Sequence, residues 1–192
     1  MNEHQNFIIY KPYGYLSQFV NNQNRRRNKK LLGELSNFPE GTMSVGRLDE
    51  KSEGLLFLTT DGRVSEAVRS KKVEKEYCVL VDGRITDAAL QQMREGLDIR
   101  INRSIYKTLP AKVNHLPNGP QYNIYKVKER DARHGPTSWI TVTISEGKYR
   151  QVRKMTAAVG FPTLRLIRVR IGNTTLNHLQ DFAPKEVESF DY

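Results

Sequence analysis

The 192-residue chain contains no long hydrophobic run and a single cysteine. No stretch reaches the roughly 18 consecutive apolar residues that a membrane-spanning helix needs, and the N-terminal segment lacks the basic and then apolar order of a signal peptide. Cys78 alone cannot form an intramolecular disulfide. These absences favour a reducing compartment, and we expect a cytoplasmic protein that does not enter a membrane.

Several signatures of known catalytic sites are also missing. The chain has neither a GxxxxGK[ST] phosphate loop nor a GxGxxG fingerprint, so we expect no nucleotide cofactor. Its four histidines are scattered, and with one cysteine they do not make a zinc site, so we expect no metal. No serine lies in the GxSxG context of a hydrolase nucleophile. Any chemistry must therefore run on carboxylate, phenol and guanidinium groups.

The charge of the chain is strongly positive, with 31 Lys and Arg against 21 Asp and Glu and a net charge of +10. Such a balance is typical of nucleic-acid-binding proteins, although merely basic soluble proteins share it. Clustering of the cations within residues 24–30, 148–154 and 165–170 favours nucleic acid. The candidate RNA-binding residues in these clusters are Arg25, Arg26, Arg27, Lys148, Arg150, Lys154, Arg165 and Arg168.

Hydrophobic patterns predict a mixed set of strands and short helices. Strands are predicted over residues 7–10, 43–45, 55–60, 76–81, 139–145 and 163–171, with more within 101–113. Helices are predicted over residues 63–70, 86–95 and 149–159. This order favours an α+β fold whose central sheet is mixed and mainly antiparallel, with short flanking helices. We expect one domain over residues 1–192, or two small lobes of it, with residues 181–192 as a peripheral tail.

A break in the apolar phase of the last predicted strand suggests an irregularity. Leu166 and Ile167 are consecutive apolar residues in TLRLIRVRIG, where alternation would place a polar one. We expect a β-bulge between them that redirects Arg165 or Arg168.

The segment over residues 43–62, MSVGRLDEKSEGLLFLTTDG, is the most informative part of the chain. It presents Asp49 beside Arg47 in a turn between two apolar runs, with Gly46 and Gly54 on either side. An ionised carboxylate there could act as a nucleophile or stabilise a cationic sugar. The sequence Asp-Glu-Lys-Ser is also ordinary turn chemistry, and spacing alone favours that interpretation.

Two further segments carry candidate residues. Tyr77, in KEYCVLV, could stack on a base, but a lone tyrosine on a strand is more simply explained as a core residue. In KYRQVRKMTAAVG, Arg150, Arg153 and Lys154 are spaced to share one helix face, opposite an apolar stripe. This basic face suits phosphate or carboxylate binding, and Arg153 could instead turn inward to pair with Asp49.

Four blocks of the sequence together resemble the ordered motifs of the RsuA/RluE-type ribosomal RNA pseudouridine synthases. They are YKPYGYLSQF, GRLDEKSEGLLFLTTDG, KEYCVLV and EGKYRQVRKMTAAVGFPTLRLIRVRIG, and they cover most of the chain. Many members carry an N-terminal S4 RNA-binding domain, whereas here the KPYG block begins at Lys11. The chain is therefore most similar to the stand-alone large-subunit (RluE) branch without an S4 domain. Thr60 stands where Asn is frequent, and Arg150 where many relatives have His.

The resemblance implies a fold, a reaction and roles for individual residues. It implies the pseudouridine synthase fold with a catalytic cleft, where a uridine of 23S ribosomal RNA is detached at its C1′–N1 bond and rejoined through C5, without cofactor or metal. Asp49 would act at C1′, Tyr77 would pack on the target base and act at C5, Arg153 would pair with Asp49, and Arg47 would fill the gap left by the flipped nucleotide. The expected partner is 23S ribosomal RNA or a large-subunit assembly intermediate, bound by a monomer.

Two other functions remain open at this point. Asp49, Glu50, Glu53 and Asp61 could gather Mg²⁺ in a metal-dependent nuclease, although an arginine and a lysine lie among them. The second is a non-catalytic RNA-binding or assembly protein on the same fold, for which Asp49→Asn would leave every cellular phenotype unchanged.

Overall fold

The computed structural model describes residues 4–20, 28–69, 73–127, 131–179 and 181–192. The strands are β1 (Asn6–Lys11), β2 (Met43–Val45), β3 (Glu53–Thr59), β4 (Lys75–Asp82), β5 (Asp98–Ile101), β6 (Ser104–Lys107), β7 (Lys112–His115), β8 (Thr137–Ile144), β9 (Thr163–Ile171), β10 (Thr174–Thr175) and β11 (Lys185–Val187). The α-helices are α1 (Gly62–Arg69), α2 (Asp87–Glu95) and α3 (Gln151–Ala158). No helix within the described ranges is long and apolar enough to cross a membrane.

Among the described residues, a sheet of nine strands forms the framework. Its order is β11-β1-β3-β9-β4-β8-β7, with β2 paired to β3 and β10 to β9, while β5 and β6 form a separate hairpin. The pairings within the described residues are antiparallel, apart from the parallel contact of β3 with β9. The predicted α+β fold with a mixed, mainly antiparallel sheet is confirmed.

The sheet is buried on both faces because separate apolar cores cover them. Alternate residues of β4 divide between the two cores: Tyr77, Val79 and Val81 pack with α2 and α3, whereas Cys78 packs against residues of β1 and β3. All seven residues of β3 are buried, which explains their near-continuous apolar run. Full burial of an aliphatic or aromatic side chain stabilises the fold by roughly 1.5–3 kcal/mol.

A close approach between β3 and β9 sets the position of the Asp49 turn. Gly54 pairs with Arg168 in the parallel register and has a φ of 106°. A Cβ atom at this position would lie 2.3 Å from the Arg168 carbonyl oxygen, a distance that real Cβ atoms do not adopt. Only glycine therefore lets the start of β3, and the turn before it, lie directly against β9.

The irregularities of β9 differ from the predicted one. Leu166 and Ile167 pair in continuous register with Val79 and Cys78, so no bulge separates them. The register shifts instead on either side, where Leu164 and Val169 have no partner on β4. Consecutive apolar residues occur here because β9 lies in the interior of the sheet and is buried on both faces.

The C-terminal segment is not the predicted peripheral tail. Within it, β11 pairs antiparallel with β1. Phe190 is buried and stacks on Phe57, with ring centroids 4.2 Å apart, and Phe182 stacks on Tyr125 at 3.9 Å. The segment is polar on average, but two aromatic rings and one short strand are enough to attach it to the sheet.

Candidate active site

The turn that carries Asp49 is held from both sides by hydrogen bonds. The Ser17 hydroxyl donates to the Leu48 carbonyl at 2.9 Å and accepts from the Leu48 amide at 3.0 Å. The Leu48 side chain is buried in the core, and Gly46 takes a φ of 70° that favours glycine. On the other side, the Gly14 amide donates to the Glu50 carbonyl at 2.8 Å. The backbone around Asp49 is thus fixed before any ligand binds.

A buried lysine supports the loop that packs against this turn. Lys11 is fully buried, and its Nζ donates to the carbonyls of Pro12 at 3.0 Å and Tyr15 at 2.7 Å. Burial lowers the pKa of Lys11 to about 7, while the Glu53 carboxylate acts in the opposite direction. Lys11 therefore shapes the KPYG loop from inside the protein.

The Asp49 carboxylate lies between two guanidinium groups. Its Oδ2 accepts a hydrogen bond from Arg150 Nη1 at 3.1 Å and lies 3.8 Å from Arg153 Nε. Arg153 also donates through Nη2 to the Lys51 carbonyl at 2.6 Å and to the Ser52 hydroxyl at 3.1 Å. Burial and the Arg150 charge lower the pKa of Arg153, and the Asp49 charge opposes them. Both cations come from the start of α3, so this segment orients the acid.

The start of α3 differs from the prediction, and the difference matters for the site. The helix begins at Gln151, because Arg150 takes a left-handed conformation with φ 53° and ψ 35°. Such a conformation costs a residue with a Cβ atom about 1–2 kcal/mol. Arg150 is therefore not on the predicted helix face with Arg153 and Lys154, and it reaches Asp49 instead.

A cleft of about 360 Å³ opens beside Asp49. Both Asp49, in the turn before β3, and the largely buried Tyr77, on β4, line this cleft. The volume is in the usual range for a small-ligand site. The cationic residues of its lining are Arg47, Arg69, Lys75, Lys148, Arg150 and Arg168.

The predicted RNA-binding residues that the structure describes differ in their surroundings. Arg47 is exposed at the cleft and also lines a neighbouring groove formed by residues 17–20, 42–44, 65 and 69. Lys148 lies over the Tyr106 ring at 4.7 Å, and Lys154 over the Tyr149 ring at 4.9 Å. Arg25, Arg26 and Arg27 lie outside the described residues.

Arg165 and Arg168 do not fit the predicted contact with an external phosphate. Arg165 pairs with the buried Glu53 carboxylate and donates to the Tyr125 carbonyl at 2.7 Å. Arg168 is buried, and its Nε donates to the Leu55 carbonyl at 2.7 Å. Both side chains are turned into the protein because β9 is an interior strand.

Several residues of the site were not predicted from the sequence. Lys75 lines the cleft two residues before Tyr77 on the same strand, so the two-residue period of β-structure could have indicated it. Ser17 and Arg69 carry no such signal, because their places depend on contacts between distant segments.

The acids proposed for a metal-dependent nuclease do not converge. Glu50 pairs with Lys29, Glu53 with Arg165 and Asp61 with Arg63, while Asp49 pairs with Arg150 and Arg153. Throughout the part of the chain that the structure describes, no group of three or more His, Cys, Asp or Glu side chains could hold a metal ion. The nuclease hypothesis therefore has no ligand set in these residues.

Comparisons with known proteins agree with the geometry. Residues 5–158 match the sequence model of the family described as RNA pseudouridylate synthase. The ribosomal large subunit pseudouridine synthase E of Vibrio vulnificus is 39% identical over 187 residues, which cover 96% of this chain and 76% of the relative. The protein of the same name from Xanthomonas axonopodis pv. citri is 40% identical over 174 residues, covering 90% and 88% of the two chains.

A solved structure supports the same assignment. The crystal structure of a pseudouridylate synthase superimposes with a TM-score of 0.75 and 26% sequence identity, covering 97% of this chain and 71% of the other. The family expected from the four sequence blocks is thereby confirmed, and the chain belongs to the RNA pseudouridylate synthases.

Proposed function

We propose that this protein converts a specific uridine of 23S ribosomal RNA into pseudouridine, with Asp49 acting at C1′ of a flipped-out nucleotide. The observation that carries the proposal is that Asp49 and Tyr77 line the same cleft, where Arg150 and Arg153 hold Asp49. The names of the E-type relatives, which refer to the large ribosomal subunit, support the choice of RNA.

The reaction is a rearrangement in which every atom is retained. The C1′–N1 bond breaks with its electron pair on N1, the base turns, and a new bond joins C1′ to C5. C5 then loses its proton and N1 gains one. Asp49 supplies negative charge at C1′, where the sugar becomes electron-deficient. Tyr77 packs on the base and takes part in removing the C5 proton, and Arg153 orients the carboxylate.

The target nucleotide must leave the base stack before the cleft can act on it. Extrusion costs a few kcal/mol in paired RNA, and contacts with the phosphate backbone offset that cost. Arg47 is exposed beside the cleft and is suited to fill the gap left in the stack. Lys148, Arg150 and Lys154, together with Arg25, Arg26 and Arg27, would bind phosphates around it.

The proposal includes the organisation and location of the protein. The continuous nine-stranded sheet supports a single catalytic domain over residues 1–192. We propose that it acts as a monomer in the cytoplasm, where ribosomal RNA is made and assembled. Sedimentation of the purified protein tests whether it is a monomer.

Pseudouridine mapping of ribosomal RNA tests the function directly. Cells that lack the protein should lose pseudouridine at one position of 23S ribosomal RNA, and the wild-type protein should restore it. Asp49→Asn should not restore it. An unchanged map would contradict the function, and restoration by Asp49→Asn would contradict the role of the aspartate.

A further inference from the structure

Arg168 is a buried cation whose hydrogen-bonding capacity is only partly used. It lies on the interior strand β9 and is 5% exposed. Its Nε donates to the Leu55 carbonyl, but its Nη2 is buried and has no hydrogen-bond partner among the described residues. None of the ion pairs found in those residues includes Arg168. A buried charge without an anion is costly and calls for an explanation.

Arg168 also reaches the cleft that contains Asp49. Arg168 is the cross-strand partner of Tyr77, so the two side chains share one face of the sheet, and both line the cleft with Asp49. Burial lowers the pKa of Arg168, and the Tyr77 phenol beside it acts in the opposite direction. Arg168 thus forms part of the wall of the cleft, next to Tyr77.

Lys75 adds a second cation to the same wall. It precedes Tyr77 by two residues on β4 and also lines the cleft. Burial and the Arg168 charge lower the pKa of Lys75 to about 8. Two cationic residues, Arg168 and Lys75, therefore line the cleft on the same side as Tyr77, and they would attract an electron-rich ligand.

We infer that Arg168, with Lys75 beside it, is a catalytic residue that binds a carbonyl oxygen of the target uracil and stabilises the negative charge of the detached base. The inference rests on the proposed function. When the C1′–N1 bond breaks, its electron pair leaves with N1, and the resulting charge spreads over N1, O2 and O4. Hydrogen-bond donors already placed where charge develops are among the largest contributions to catalysis.

Because uracil is nearly symmetric, Arg168 could bind it both before and after the base turns. A half-turn about the axis through N3 and C6 exchanges N1 with C5 and also O2 with O4. Arg168 therefore meets a carbonyl oxygen before and after the base turns. Cytosine carries an amino group at C4, which would bring N–H donors against the arginine in one of the two orientations. The same residue thus favours uracil over cytosine.

The test compares two substrates that differ in how well the detached base carries negative charge. Arg168→Met removes the cation while keeping a long side chain. Single-turnover rates are measured with saturating enzyme on a ribosomal RNA transcript that contains either uridine or 5-fluorouridine, by following loss of the target nucleotide in nuclease digests. With uridine, the rate should fall about 10²–10³-fold, as for the loss of one oxyanion donor.

The substrate that contains 5-fluorouridine should tolerate the substitution better. Fluorine withdraws electrons and stabilises the base anion without help from the protein, so the loss should be smaller by at least about tenfold. The affinity for RNA should stay within about threefold of wild type, because Arg168 contacts no external phosphate. Arg94→Met is the matched control and should leave both rates unchanged, because Arg94 is also a partly buried arginine whose Nε donates to a backbone carbonyl, that of Val113, but is not among the residues that line the cleft.

Other outcomes would overturn the inference. Equal losses with both substrates would show that Arg168 serves only the structure, and weakened RNA binding with an unchanged saturated rate would show a phosphate contact. If Arg168→Met does not fold by circular dichroism, the same comparison is made with Arg168→Lys and Lys75→Met. A wild-type protein that consumes neither nucleotide would instead refute the proposed function.

Discussion

Replacing Gly54 by alanine should destabilise the protein far more than replacing Gly62. Gly54 has a φ of 106° and lies against Arg168 at the parallel contact of β3 with β9. A Cβ atom would lie 2.3 Å from the Arg168 carbonyl oxygen and 2.7 Å from its amide nitrogen. Both are backbone atoms of an interior strand, so no side-chain rotation relieves the overlap.

Two contributions set the size of the destabilisation: the positive φ of residue 54 and the overlap of an added Cβ atom with the backbone of β9. A residue with a Cβ atom at such a φ costs about 1–3 kcal/mol. Moving the carbonyl oxygen to an ordinary C···O contact requires a shift of about 1 Å, and forced overpacking of a core costs about 1–3 kcal/mol more. A total of about 4 kcal/mol lowers Tm by roughly 8–16 °C in a protein of this size. The same shift displaces Arg168 in the cleft, so the rate of catalysis should fall as well.

Gly62 provides the matched control. It begins α1, its φ is not in the positive region, and no atom lies within 4 Å of an added Cβ. Gly62→Ala should be neutral or stabilise the protein by about 0.4–1 kcal/mol. Thermal unfolding followed by circular dichroism measures both variants. A Gly54→Ala protein whose Tm lies within about 3 °C of wild type would refute the reasoning, since that shift corresponds to only ~1 kcal/mol.

Three further predictions concern the turn, the buried lysine and the basic segment. Ser17→Ala leaves the buried amide and carbonyl of Leu48 without partners, at about 1–3 kcal/mol each, so single-turnover rates should fall with RNA affinity unchanged; weaker binding at an unchanged rate would contradict this. The folded-state pKa of Lys11 is about 7, below its unfolded value, so the wild-type free energy of unfolding should rise by up to about 1.4 kcal/mol per pH unit between about pH 7 and 8.5. Lys11→Met should flatten that rise in urea titrations, and an identical slope would show that Lys11 does not titrate there. Replacing Arg25, Arg26 and Arg27 by Gln should reduce the slope of log K against log salt by about 0.7–0.9 for each lost phosphate contact, and an unchanged slope would show that they do not touch RNA.

Elements with strong local signals could be predicted closely from the sequence. The predicted bounds of β2 and β9 coincide with the structure, and α2 begins and ends where its cap residues indicate. Thr86 accepts a hydrogen bond from the Ala89 amide, and Gly96 ends the helix with a φ of 83°. These features depend on residues that are near one another in the sequence, which is why a pattern reveals them.

Features that depend on distant contacts could not be predicted in this way. The left-handed Arg150 is held by Asp49, 101 residues earlier, and nothing local to EGKYRQ indicates that contact. The docking of the C-terminal segment depends on β1 and on Phe57, and its polar composition conceals the two rings that attach it. The positions of the bulges in β9 depend on its pairing with β4.

The same contrast between local signals and distant contacts applies to the residues of the site. The resemblance drew attention to Asp49, Tyr77 and Arg153, and the structure brings them to one region. The clustering of cations in residues 165–170 predicts RNA contacts for Arg165 and Arg168, but the structure turns both side chains into the protein. Their burial follows from the place of β9 inside the sheet, which only the strand order reveals.

The most direct test of the central claim is single-turnover pseudouridine formation in a 23S ribosomal RNA transcript by the purified protein. The wild-type enzyme should convert one uridine, whereas Asp49→Asn should be slower by at least about 10³-fold and bind the RNA with equal or higher affinity. Residual turnover near the wild-type rate in Asp49→Asn would contradict the account.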